Sequence, residues 1–155
     1  MSEAGTTMRR IVVGIDGSAG SAAALHWATR LALAADAEVF AVHVIEPPRY
    51  DIRSLGLPHT VLNEANWRET IRTELEATWC RPLVEAGVRH RVQVEEGRAG
   101  PCLAAIARSE NADMIVTGRR GLTGMAEMVQ GSVSYYVTHH APCPVAVMPA
   151  EPSAA

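Results

Sequence analysis

The sequence predicts an α/β protein, a three-layer open sheet of parallel strands with helices on both faces. Three observations carry that expectation. Apolar runs that fit strands alternate five times with segments of helical period. The first run, RIVVGI at residues 10–15, is nearly continuous rather than alternating, as in a strand buried on both faces. A glycine pattern, Gly118-x2-Gly121-x9-Gly131-Ser132, lies between the strand-like run Met114, Ile115, Val116 and a helix start.

In chain order, Asp16-Gly17-Ser18 breaks the first strand, and Ser18 or Ser21 can cap a helix running to about Ala35. Ala24, Leu25, Ala28, Leu31 and Ala32 are spaced to face the sheet. Glu38–Ile45 (EVFAVHVI) reads as the second strand, stopped by Glu46-Pro47-Pro48. Residues 49–59 form a polar, Pro- and Gly-punctuated loop. A long helix is expected from about Val61 to Trp79; Pro82 kinks or restarts it, and Gly87 ends it. Residues 88–95 alternate and suit a sheet edge. A turn at 97–100 precedes a helix that Pro101 opens and that runs to about Ser109. Residues 113–117 give the fourth strand; after the glycine loop come a helix from Gly131 to about His140 and a final strand, Val145–Met148. Right-handed crossovers join the parallel strands.

A length of 155 residues suits one domain, expected over 8–149 with loose tails at 1–7 and 150–155. Net charge is -3, which gives no reason to expect nucleic acid or an anionic membrane as partner. The N-terminus has no apolar signal-like core and no apolar run approaches membrane-spanning length, so a cytoplasmic protein is expected. Cys80, Cys102 and Cys143 lack metal or redox spacing. All 14 basic residues are arginine. Without lysine there is no Schiff base and no Walker A lysine, whereas phosphate binding through backbone amides and arginine is untouched.

Ligands of an open parallel sheet bind at the carboxyl ends of its strands, where strand order reverses. Three segments converge there: Gly14-Ile15-Asp16, the end of the second strand, and the Gly118 loop. Asp16 suits either ribose hydroxyls or the cap of the following helix; spacing leaves both open. Arg119 and Arg120 are phosphate donors or solvated loop residues. Gly131 and Ser132 open a helix with bare amides and a hydroxyl, with Ser134 as a second hydroxyl, which is the chemistry a phosphate needs. His139-His140 is read as a helix-end cap, His43 as a satisfied sheet residue, and Trp67 and Trp79 as packing or interface residues. No G-x-S-x-G elbow, H-E-x-x-H or paired-carboxylate cleft is present, and G-I-D-G-S-A-G replaces the dinucleotide fingerprint after the first strand.

With these segments in place, the chain resembles the universal stress proteins of the ATP-binding type. The resemblance runs from about Arg9 to Pro149 and rests on IVVGIDGS, AVHVIE, ADMIVTGRRG and GSVSYYVTHHAPCPVAVM, with the glycine spacing matching the family's nucleotide motif. It implies a Rossmann-like sheet of five parallel strands in order 3-2-1-4-5, holding ATP with Mg²⁺. By that resemblance Asp16 holds the ribose beside Gly14 and Ile15, and the Val44 backbone meets the adenine edge. Gly118 and Gly121 let the loop approach the ribose and phosphates, and Gly131, Ser132 and Val133 bind the phosphates; Arg120 and Ser134 join the expected site on the residue reading above. A homodimer through Val145–Met148 is implied as well. Where many relatives carry basic residues between the second and third glycines, this chain has Glu127 and Gln130, which implies weaker triphosphate binding or a preference for a nucleotide with fewer phosphates, AMP or another adenine nucleotide among them. Cradling without an evident base implies a nucleotide-dependent regulator with slow hydrolysis at most. An ATPase or nucleotidyl-transferring enzyme and a nucleotide-free interaction scaffold are the alternatives.

Overall fold

The computed structural model describes residues 7–46, 64–119 and 131–150. Its elements, in order, are β1 (Arg10–Gly14), α1 (Ala19–Ala35), β2 (Glu38–Ile45), α2 (Glu64–Glu74), α3 (Arg81–Glu85), β3 (His90–Glu96), α4 (Ala99–Ser109), β4 (Met114–Gly118), α5 (Ser132–His140) and β5 (Val145–Met148). The strands form one parallel sheet in order β3-β2-β1-β4-β5. β1 is therefore central, and the chain grows to one side through β2 and β3 and to the other through β4 and β5. The order reverses between β1 and β4.

The alternation of side chains along each strand builds two cores, one per face. Ile11 and Val13 of β1 and Val39 and Ala41 of β2 join Leu25 and Ala28 of α1 and Leu83 of α3. On the opposite face Val12, Phe40 and Val42 meet Leu103 and Ile106 of α4 and Val137 of α5. Burial on both faces explains why β1 reads as a continuous apolar run. The edge strand β3 does alternate: Val92 and Val94 pack inward, while the Arg91 guanidinium lies 5.1 Å from the Phe40 ring centroid and reaches Glu38 at 2.9 Å.

The boundaries differ from the sequence expectation in three places, each with a local cause. The expected single helix through Trp79 is α2 followed by a π-helical turn, Leu75–Trp79, closed by the Cys80 amide donating to the Leu75 carbonyl at 2.7 Å. Pro82 then sits in the first turn of α3, where its missing N–H leaves no gap. β3 starts at His90 rather than 88, because Val88 still belongs to the end of α3. Its amide donates to Leu83 at 2.9 Å and that of Gly87 to Val84 at 3.1 Å, a Schellman closure that needs the positive φ of +68° at Gly87. α4 opens at Ala99, two residues before Pro101, since any of the first helical positions can do without an N–H.

The π turn directs both Leu75 and Cys80 into the core, each fully buried. Burial, aided by the Glu76 carboxylate, pushes the Cys80 thiol up from 9.0 to about 11. Its folded value lies above its unfolded one. Its contribution to stability is therefore complete below 9.0 and is lost as pH climbs through about 11. Iodoacetamide at pH 8 is expected to spare Cys80 in the folded protein and to label the half-buried Cys102 and Cys143. Equal labelling rates at all three, followed by mass spectrometry of peptides, would refute this.

Candidate functional site

The carboxyl ends of β1, β2 and β4 lie at one end of the sheet, together with the N-terminus of α5. At the end of β1, Gly14 gives way to Ile15, whose amide makes one further bond to the Val42 carbonyl at 2.8 Å. Asp16 then turns the chain into α1. Its Oδ1 accepts the Ser18 N–H at 2.9 Å, its own N–H donates to Ser21 Oγ at 3.3 Å, and Ser18 Oγ caps the helix by accepting the Ser21 N–H at 3.1 Å. The capping alternative for Asp16 is thus realised in part: Ser18 is the cap, and the half-buried carboxylate braces the turn beneath it. Trp79 packs its ring onto Gly17 and sets it edge-on to His43, with centroids 5.4 Å apart and planes at 74°. His43 Nδ1 lies 2.7 Å from the Ile15 carbonyl oxygen and therefore carries the proton it donates there. Val44, half-buried, follows at the end of β2.

At the end of β4, Gly118 pairs with Met148 of β5 and meets α1 from the other side. A Cβ built on Gly118 would lie 2.5 Å from the carbonyl carbon of Gly20 and 2.8 Å from its oxygen. The glycine is therefore required by the approach of two backbones, a role that motif reading does not supply. Arg119 follows: its N–H donates to Met148 O at 2.8 Å, and its carbonyl accepts the Gly131 N–H at 2.6 Å. Ser134 is almost fully buried, with Oγ 3.2 Å from Arg119 O and 3.0 Å from Gly131 O. Its single proton serves one of these carbonyls at a time, so Ser134 ties residues 119 and 131 together and does not present its hydroxyl outward.

α5 opens at Gly131, which has no side chain to cap it. The first bond within the helix runs from Tyr135 N to Gly131 O at 2.9 Å, which leaves the amides of Ser132, Val133 and Ser134 without intrahelical acceptors. Ser132 is exposed. Bare amides and the positive end of the helix dipole together favour an anion at this point. Arg120 and Gly121 lie outside the described residues, as do 49–59 and the Glu127 and Gln130 positions. At the far end of α5, His139 and His140 Nδ1 bond the Tyr135 and Tyr136 carbonyls one turn back, at 2.8 and 2.9 Å, while the Ala141 amide closes the helix onto Val137. Among the described residues no group of three His, Cys, Asp or Glu side chains is arranged to hold a metal ion. None of the described helices is long and apolar enough to cross a membrane.

A doubly wound parallel sheet with an open helix N-terminus at its strand ends defines the open α/β class, in which ligands generally bind at the switch point. The family model of the universal stress protein family matches residues 7–149, and the chain belongs to that family. Universal stress protein Sll1388 of Synechocystis is 33% identical over 104 residues, which are 67% of this chain and 68% of the relative. Universal stress protein Rv1996 of Mycobacterium tuberculosis is 32% identical over 157 residues and 92% of this chain. The chain spans about half the length of that relative, 48%. Among solved structures, hypothetical protein MJ0577 superposes with a TM-score of 0.77 at 22% identity, covering 95% of this chain and 99% of its own. A universal stress protein in complex with cAMP gives 0.64 at 23% identity, over 94% of this chain and all of its own. One from Archaeoglobus fulgidus in complex with dAMP gives 0.57 at 17%, over 91% and 97%. These superpositions establish the fold.

Proposed function

We propose that this chain binds an adenine nucleotide, ATP with Mg²⁺ in the first place, and acts as a cytoplasmic, nucleotide-dependent regulator of a stress response. The observation that carries the reading is the uncapped start of α5 at the strand ends. Gly131, Ser132 and Val133 offer amides to phosphate oxygens, while Asp16 faces the ribose from the end of β1 beside Gly14 and Ile15. Val44 offers its backbone to the base. Ser134 shapes the phosphate end through the Arg119 and Gly131 carbonyls, and Arg120 and Gly121 belong to the same loop by sequence. The structural neighbours crystallised with cAMP and dAMP support an adenine-bearing ligand.

The donor set suits the phosphates themselves, and Mg²⁺ is held chiefly by phosphate oxygens and water, as is common for nucleotide-bound magnesium. Regulation requires that two states of the protein differ in affinity for nucleotide; a ligand that binds both equally shifts nothing. Pairing of two chains through the half-buried edge strand β5 supplies a natural element for such a difference. One observation favours the scaffold alternative: Gly118 has a packing reason that needs no ligand.

The deciding experiment is to denature the purified protein, chromatograph the released small molecules, and titrate the emptied protein with ATP and AMP, with and without Mg²⁺. Near-stoichiometric ATP, or saturable micromolar binding that Mg²⁺ strengthens, is the expected result. An empty protein that ignores both nucleotides would leave the scaffold.

A further inference from the structure

The β1–β2 ladder stops one rung early, and a side chain occupies the vacated place. Gly14 pairs with Val42 as the last register partner, and Ile15 N–H bonds Val42 O. In a parallel ladder the next bond would run from Val44 N–H to Ile15 O. No such pair forms; His43 Nδ1 holds that carbonyl at 2.7 Å instead. The odd-numbered residues of β2 face the other neighbour, as the bonds from Val39 N to Arg89 O and from Gly97 N to Ile45 O attest. Val44 therefore turns both its N–H and its C=O toward β1, into the gap where β1 leaves the sheet at Asp16.

We propose that His43 is a positioning residue: by taking the Ile15 carbonyl, its imidazole keeps the Val44 N–H and C=O open for the edge of a ligand's base. The inference rests on the nucleotide reading and deepens it. A residue that offers one donor and one acceptor side by side matches an adenine edge, with its amino donor and adjacent ring-nitrogen acceptor. It mismatches hypoxanthine, whose carbonyl and ring N–H reverse the pattern. His43 is held in place from behind, since Trp79 meets it edge-on at 5.4 Å and itself rests on Gly17. The π-helical turn that carries Trp79 to this point thereby acquires a purpose at the site.

The test uses the full chain with His43→Phe, which keeps a ring against Trp79 and removes the donor, and His43→Asn, whose amide N–H can reach the same carbonyl. Amide exchange at Val44 is measured without ligand, and affinities are measured for AMP, IMP and ribose 5-phosphate. In the wild type the Val44 amide exchanges much faster than that of Val42, and AMP is preferred to IMP. In His43→Phe the Val44 amide closes onto Ile15 and becomes protected. AMP then weakens by about tenfold, as for loss of one hydrogen-bonded edge, while ribose 5-phosphate, which has no base, is unaffected. His43→Asn restores the wild-type pattern. A Val44 amide as protected as Val42 in the wild type overturns the proposal even if His43→Phe does not fold. So does unchanged AMP binding by a folded His43→Phe. If the wild type binds neither AMP nor ribose 5-phosphate, the nucleotide reading fails and takes the ligand role with it, and Val44 exchange still decides the ladder geometry.

Discussion

Gly118→Ala is expected to destabilise the fold by about 3 kcal/mol or more, the upper range for overpacking a core, whether or not any ligand is present. The added methyl would lie 2.5, 2.8 and 2.9 Å from the carbonyl carbon, carbonyl oxygen and Cα of Gly20. All three are backbone atoms of the first turn of α1, so no rotamer change can relieve the contact. Gly118 cannot retreat either, since it is the last β4 partner of β5 and the adjoining Arg119 amide is bonded to Met148. Either α1 lifts from β4, exposing part of the core around Leu25 and Val116, or β4 parts from β5. A typical domain holds only about 5–15 kcal/mol in total, so a large share of the stability goes. Urea titration should show a lower midpoint at an unchanged slope. A loss under about 1 kcal/mol would mean that α1 adjusts freely and that the close approach is not a constraint. The practical corollary is that loss of nucleotide binding in Gly118→Ala says nothing about the site until folding has been measured.

Ser132→Glu should do the opposite: abolish nucleotide binding and leave the fold intact or slightly more stable. Ser132 is exposed at the first position of α5 and makes no cap bond, so a longer side chain meets no packing there. A carboxylate in the first turn interacts favourably with the helix dipole, by about 0.3–1 kcal/mol. The same carboxylate occupies the amides and repels phosphate, and like charges brought together in a binding site cost several kcal/mol. A fall in ATP affinity of about 100-fold or more is therefore expected by calorimetry, with a melting temperature at or above that of the wild type. ATP binding unchanged in Ser132→Glu would remove the start of α5 from the site. The two substitutions form a complementary pair, one acting through the fold and the other through charge at the surface.

Much of this architecture was legible because it is written in local periodicity. The continuous apolar runs of β1 and β4 imply burial on both faces, and the glycine after α3 stops it by conformation, as expected. The strand order came from resemblance, and the register agrees with it. What periodicity could not show were contacts between distant residues. His43 and Ile15 are 28 positions apart, and nothing in either segment announces that a side chain replaces a ladder bond. The π turn depends on one extra residue in a helix whose apolar spacing already suits an α-helix. Gly20 gives no motif signal at all, yet it determines what Gly118 must be. Ser134, grouped with Ser132 by proximity in sequence, proves to face inward. The readings of Arg120 and Gly121 fall outside the described residues.

The bond between Gly131 and Arg119, backed by Ser134, closes the two ends of an eleven-residue stretch, 120–130, onto each other. The bonds that mark where β4 ends and where α5 begins are made by Arg119, Gly131, Ser134 and Met148, all of them outside that stretch. Lengthening such a closed excursion is entropically mild, about 0.6 kcal/mol for each doubling. A designer can therefore graft a different insert between the same two anchors.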